Sequence, residues 1–348
     1  MSGPAQRSGL LTPGRLGLDN DGLMRLDLLG NPYGPSVNVF EALASCDSLH
    51  LPAEAAETAL RHRLAALHRV PPSWLVLANG IDELLGMILL WRRQHGPLLL
   101  FPPHAPADAV RAARHQIDTI TFQRAPTFAL DLDPAAAVDL PADATALITS
   151  PNDPTGNLLG AQEAVRLSRA CALVVVDECH GASSGRTLIP LVREFENLVV
   201  IQSFETWAGL AGLPLAYALA PPKLANELAA YRRQDGVAMA AVVAANATLD
   251  DLSRVRTTVH WLRQERSRLF RTLRKLNLVR PLASWSTFLL VQVERGDRAT
   301  VVAGLARCGL VVHVPLQPEL APFIRVSAGR PEQTDALKQA LIEIAAEV

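Results

Sequence analysis

Short apolar runs alternate with amphipathic stretches through the middle of this chain, and the runs end on polar or turn-forming residues. Pro97–Pro102 reads as a buried strand, and Ala107–His115 follows with helical spacing. Ile117–Phe122 and Ala146–Thr149 are further strands, the second stopping at the turn cluster Ser150–Gly156. A helix over Ala161–Ala170 leads to the strand Ala172–Val176, with Asp177 at its carboxyl end. Leu198–Gln202 runs into Ser203–Gly212, and Leu215–Ala220 closes the series. Strands alternating with helices predict an α/β fold, a mostly parallel sheet flanked by helices. Such sheets bind ligands at the carboxyl ends of their strands, which singles out Asp177 and Ser203.

Beyond Pro222 the pattern turns helical. Met239–Leu276 carries apolar residues three and four apart without Pro or Gly, which predicts one long helix linking two domains. Ser286–Val293, Arg298–Cys308, Ile324–Ser327 and Glu332–Ala346 then read strand, helix, strand, helix, a small α+β domain.

The 348 residues are 49% hydrophobic, which suits a large core and prompts a search for membrane spans. The apolar runs are far shorter than the ~20 residues a span requires. Met1–Arg15 lacks the apolar block of a signal peptide, and the four cysteines show no metal-ligand spacing. The formal charge is −1, and the arginines of Arg254–Arg274 are spaced as a solvated helix face. A cytoplasmic protein without nucleic-acid, membrane or metal binding is expected.

Several segments in register resemble histidinol-phosphate aminotransferase and its relative threonine-phosphate decarboxylase. They are Asn31-Pro-Tyr-Gly-Pro-Ser36, Asn79-Gly-Ile-Asp-Glu83, Pro151-Asn-Asp-Pro-Thr-Gly156, Asp177-Glu178, Gly209-Leu-Ala-Gly-Leu213 with Tyr217, and Arg325-Val-Ser-Ala-Gly329. The resemblance runs from about Asp27 to Thr334 and implies the pyridoxal-phosphate-dependent transferase fold, type I. It implies an amino-terminal arm over 1–38 joined to a small domain, a large domain over 39–265, and the rest of the small domain over 266–348. It also implies a homodimer in amino-acid-related metabolism.

Pyridoxal phosphate supplies the electron sink in such enzymes, and the protein supplies binding, orientation and electrostatics. The family's cofactor lysine falls on Thr206 here, preceded by Glu205, and its phosphate arginine falls on Pro214. Only three lysines exist, Lys223, Lys275 and Lys338. The resemblance places other departures too. Asp153 stands for an asparagine at the ring hydroxyl and His180 for a tyrosine. Ala105, after His104, stands for the stacking aromatic, Ile81 for a phosphate-binding serine, and His313 for an arginine. Two like charges at ~4 Å cost about 4 kcal/mol at an effective dielectric near 20, so Glu205 in a phosphate cup argues against an anionic cofactor.

The expectation is therefore a repurposed enzyme without cofactor, with Asp153, Ser203, Thr206 and Tyr217 as relic cofactor positions. Arg325, with Asn31, Tyr33 and His313, would hold a carboxylate ligand through its fork of donors. Asp177, His180, Glu205 and His104 would move protons. Cys179 and His180, at a strand end, are expected to point apart. Two alternatives stand beside this: a silent subunit that partners an active relative, and an enzyme holding pyridoxal or pyridoxamine phosphate noncovalently.

Overall fold

The computed structural model describes residues 22–130, 132 and 140–348. The expected arm before Gly22 lies outside the described residues. The strands in chain order are β1 (Met24–Arg25), β2 (Leu75–Ala78), β3 (Leu98–Leu100), β4 (Thr119–Thr121), β5 (Thr145–Thr149), β6 (Leu173–Asp177), β7 (Leu198–Ser203), β8 (Ala216–Leu219), β9 (Val279–Pro281), β10 (Phe288–Val293), β11 (Leu310–Val311) and β12 (Phe323–Ser327). Seven of them form a sheet in the order β2-β8-β7-β6-β5-β3-β4, in which only β8 runs against the rest. A three-stranded antiparallel sheet, β12-β10-β9, stands apart from it, and β1 pairs with β11.

The period-two geometry of a strand explains why the central runs are apolar without interruption. Val174, Val176 and Val200 enter one core cluster, while Leu173, Val175, Val199 and Ile201 enter another on the opposite face. Helices cover both faces, so every position of β6 is buried. The parallel registry also sets β5, β6 and β7 level: Thr149 lies opposite Asp177, and Asp177 opposite Ile201. Their carboxyl ends form one edge, where the chain leaves the sheet at Ser150, Glu178 and Phe204.

Met239–Leu276 is two helices, Met239–Asp250 and Leu252–Leu273, where the sequence pattern implied one. Asp251 adopts non-helical angles (φ −114°, ψ 36°), and its carboxylate accepts the hydroxyl of Ser36. Ser36 is also the N-cap of Val37–Ala44, accepting from the Asn38 N–H. The break is thus held by a residue more than two hundred positions away, which periodicity does not register.

Tyr217, a relic cofactor position by resemblance, is not at the strand edge. It is 2% exposed within the core, and its hydroxyl pairs with His68 Nε2 at 2.9 Å. Burial pulls His68 down from 6.5 to about 4. The folded state therefore resists a proton that the unfolded chain accepts, and stability falls as pH drops from about 6.5 toward 4. A urea-melt series across that window should show this loss, and His68→Gln should flatten it. Tyr217→Phe should cost about 1–2 kcal/mol at pH 7.5, by stranding the imidazole.

Candidate functional site

The edge formed by β5, β6 and β7 opens into a cavity of about 210 Å³. Asp177 enters it from the end of β6 and is 7% exposed. Its Oδ1 accepts the Cys179 N–H at 2.9 Å. Burial pushes the Asp177 carboxyl up, against that hydrogen bond and the neighbouring His180. His180 packs edge-on against Phe288, with ring centroids 5.8 Å apart, and its Nδ1 is buried without a hydrogen-bond partner. Burial pulls the imidazole down, so the neutral base prevails at neutral pH, while Asp153 and Asp177 pull the other way.

Cys179 and His180 were expected to point apart, yet both line the cavity. β6 ends at Asp177, so strand alternation no longer governs the two residues after it. Burial, then Asp177, pushes the Cys179 thiol well up, which disfavours the thiolate a nucleophile requires.

Glu205 sits across the cavity at the start of the helix Gly80–Arg92. Its Oε1 accepts the Ile81 N–H at 3.2 Å and the Ser203 hydroxyl at 3.1 Å, and Ser203 Oγ accepts the Glu205 N–H at 2.9 Å. Gly80 has φ +84°, and a Cβ there would come within 2.9 Å of Pro214 and 3.0 Å of Glu205 Oε1, so glycine is required on both counts. Helix amino termini favour anions, here by about 1 kcal/mol. Burial pushes the Glu205 carboxyl up even so, with the Ile81 and Ser203 donors opposing.

The other expected anion site is also filled from within. Arg325, on β12 and 5% exposed, pairs with Asp153 Oδ1 at 2.5 Å and donates to the Asp27 carbonyl at 2.8 Å. Its guanidinium lies 5.4 Å from the Phe288 ring centre, and its Nε has no partner. His313 meets Arg325 through the backbone, in a pair of bonds of 3.1 and 2.8 Å. Burial, then Arg325, pulls the His313 imidazole down.

The remaining named residues have other employment. Thr206 lines the cavity, with its hydroxyl donating to the Cys179 carbonyl at 2.5 Å. Asn31 spends its amide on the Trp207 carbonyl and Thr258, each at 2.9 Å, and its oxygen accepts the Tyr33 N–H. It pins the amino-terminal segment rather than facing the cavity. Tyr33 packs on Trp261 and beneath Arg330. His104 turns its Nδ1 toward the Ala105 carbonyl at 2.8 Å, and it is Ala105 that lines the cavity.

Sequence reasoning missed Arg111 and Asp108, which line the cavity from the helix Pro106–Arg114. Arg111 binds Asp108 at 2.8 Å and Asp82 at 2.8 Å. The signal available was an Asp/Arg pair three residues apart, on a helix that follows a strand's carboxyl end. With them counted, Asp108, Asp153, Asp177 and Glu205 face a cavity to which Arg111 contributes the one guanidinium. No group of three or more His, Cys, Asp or Glu that could hold a metal exists among the described residues, and no helix there is long and apolar enough to cross a membrane.

A large, mostly parallel sheet with its site at the strand carboxyl ends, beside a small antiparallel sheet, defines the pyridoxal-phosphate-dependent transferase fold of type I. The chain belongs to the class I and II aminotransferase family, which matches residues 31–341. It is 33% identical over 341 residues to histidinol-phosphate aminotransferase of Roseiflexus castenholzii, covering 95% of this chain and 92% of that one. Identity to the chloroplastic histidinol-phosphate aminotransferase 1 of Arabidopsis thaliana is 31% over 331 residues, 94% and 79% of the two chains. The fold superposes with a TM-score of 0.84 on histidinol-phosphate aminotransferase from Clostridium acetobutylicum, at 16% identity, covering 94% and 100%. With the Sinorhizobium meliloti enzyme, solved in complex with pyridoxal-5'-phosphate, the score is 0.82 at 23% identity, covering 93% and 91%. These findings overturn the expectation of a site without cofactor. The family is one of pyridoxal-phosphate enzymes, and the Sinorhizobium structure carries that cofactor in this fold.

The pair Arg325–Asp153 is buried enough that removing one partner strands a charge. Asp153→Ala should lower the unfolding free energy by about 3 kcal/mol. Acetate at tens of millimolar should raise the variant's melting temperature more than that of the unaltered protein, because the freed guanidinium accepts an external carboxylate.

Proposed function

We propose that this chain binds the pyridoxal-type ring of its family without a covalent bond to lysine, and acts in amino-acid-related small-molecule metabolism. The single observation that carries this reading is Thr206. It lines the cavity and spends its hydroxyl on the Cys179 carbonyl, and by the resemblance it takes the family's lysine position. The chain's three lysines lie elsewhere. Lys223 follows β8, whose carboxyl end lies level with the start of β2 and opposes Val200 on β7, so it sits toward the edge of the sheet opposite Asp177. Lys275 and Lys338 are exposed beyond the central sheet.

The ring side of the site fits such a group. Asp177 is a buried carboxylate at the cavity wall, and a protonated ring nitrogen is the partner that would offset its burial. His180 offers an unpartnered, buried Nδ1 at the same wall. Ala105 lines the cavity with a methyl group, at the position where the resemblance implies a stacking aromatic. When bound, the ring would draw electrons from the carbon beside a substrate amine. The chain's own part is then to hold the ring at Asp177 and to move a proton at His180, whose lowered basicity keeps a free lone pair at neutral pH. The histidinol-phosphate aminotransferase relatives support a substrate bearing an amine.

The test is spectroscopic. Absorption from 300 to 500 nm is followed while pyridoxal or pyridoxamine, each with and without its phosphate, is added. A saturating band with a raised melting temperature is expected. Borohydride treatment followed by mass spectrometry should show no stoichiometric pyridoxyl adduct on the chain, whereas Thr206→Lys should acquire one. A stoichiometric adduct on one lysine of the unaltered protein would overturn the reading. His180→Phe should leave binding within about threefold and abolish turnover with amines, since one edge contact contributes about 0.6 kcal/mol.

A further inference from the structure

Resting on that reading, the geometry points to a narrower ligand: we infer that Glu205 makes this site specific for the unphosphorylated pyridoxyl ring, with the ligand's 5'-hydroxyl as donor to the carboxylate. The groups a phosphate would use are the backbone N–H at the start of the helix Gly80–Arg92 and the hydroxyl at the end of β7. Both are held by one carboxylate oxygen of Glu205, at 3.2 Å from Ile81 N and 3.1 Å from Ser203 Oγ. The carboxylate satisfies the helix terminus as an external anion would. A phosphate brought to the same donors would meet that charge, and at ~4 Å like charges repel by about 4 kcal/mol at an effective dielectric near 20.

The surroundings offer a phosphate no compensation. Pro214 packs against Gly80 and brings no charge or donor side chain. Arg111 is already engaged by Asp82 and Asp108. Arg325 is engaged by Asp153. The cavity thus presents Asp108, Asp153, Asp177 and Glu205 with a single lining guanidinium, Arg111, already paired, while Arg325 lies behind Asp153, a surface that favours a cationic or neutral ligand over a dianion. A hydroxymethyl group reverses the sign of the contact at Glu205: its O–H donates to a carboxylate, a charge-assisted bond. A ring that also carries an amine would gain from the remaining carboxylates.

The experiment measures binding of pyridoxamine and of pyridoxamine 5'-phosphate by calorimetry, with the full chain. The unaltered protein is expected to bind pyridoxamine at least tenfold more tightly than its phosphate. Glu205→Ser, which frees the Ile81 and Ser203 donors and adds a hydroxyl, should invert that order. Glu205→Gln, which keeps the shape and removes the charge, should narrow the ratio, with melting curves reporting that both variants fold. Tighter binding of the phosphate by the unaltered protein, or a ratio that neither variant changes, overturns the specificity while leaving the noncovalent reading in place. Failure of both compounds to bind overturns the noncovalent reading, and this inference with it.

Discussion

A strand buried on both faces can satisfy its backbone only through neighbouring strands, and this constraint organises the molecule. β6 contributes Leu173, Val174, Val175 and Val176 alternately to two separate cores, and its backbone is paired by β5 and β7. The pairing sets the strand ends level. Where the sheet stops, the chain can expose polar groups, and Asp177, Ser203 and the turn after Thr149 meet there. The position of the cavity is a consequence of sheet packing, whatever chemistry the side chains carry.

At that edge the electrostatics are balanced internally. The concentrated positive charge that the fold presents there is met by carboxylates of the same chain, as Asp82 and Asp108 meet Arg111. Glu205 takes the amino terminus of the helix Gly80–Arg92, and Asp153 takes Arg325. Both pairings link elements distant in sequence, so they brace the cavity walls as well as neutralising them. Leaving the Arg325 guanidinium buried and unpaired would cost several kcal/mol, and leaving the helix terminus without its anion about 1 kcal/mol. The same carboxylates decide which ligand charges the cavity can admit, and so connect the stability of the site with its selectivity. Asp177 and His180 remain as the pair whose polar atoms are least committed to the fold.

Much of this was legible before the structure. The runs Pro97–Pro102 and Ala172–Val176 announced the buried strands Leu98–Leu100 and Leu173–Asp177, because alternation is absent when both faces are covered. The position of Asp177 at a strand end followed from its place directly after the apolar run Ala172–Val176. Other readings failed for identifiable reasons. Cofactor loss was inferred by adding individually weakened contacts, and the family to which the chain belongs overturns that sum. Tyr217 was assigned to the site by position, but its strand turns it into the core toward His68. Asn31 carries a polar amide that a ligand could use, yet Trp207 and Thr258 consume it. The direction of Cys179 relative to His180 was misjudged because it depends on where a strand ends and a turn begins.

The sequence by itself determined the fold and the family, because these are written in residue identity and local spacing. Only the tertiary structure decided that Glu205 caps a helix on another element, that Asp153 neutralises Arg325, and that Arg111 joins the cavity. Those contacts span 124 and 172 residues for the first two. The physical reason is that charge pairing depends on distance through space, which a linear pattern encodes only after the sheet has brought its strand ends together.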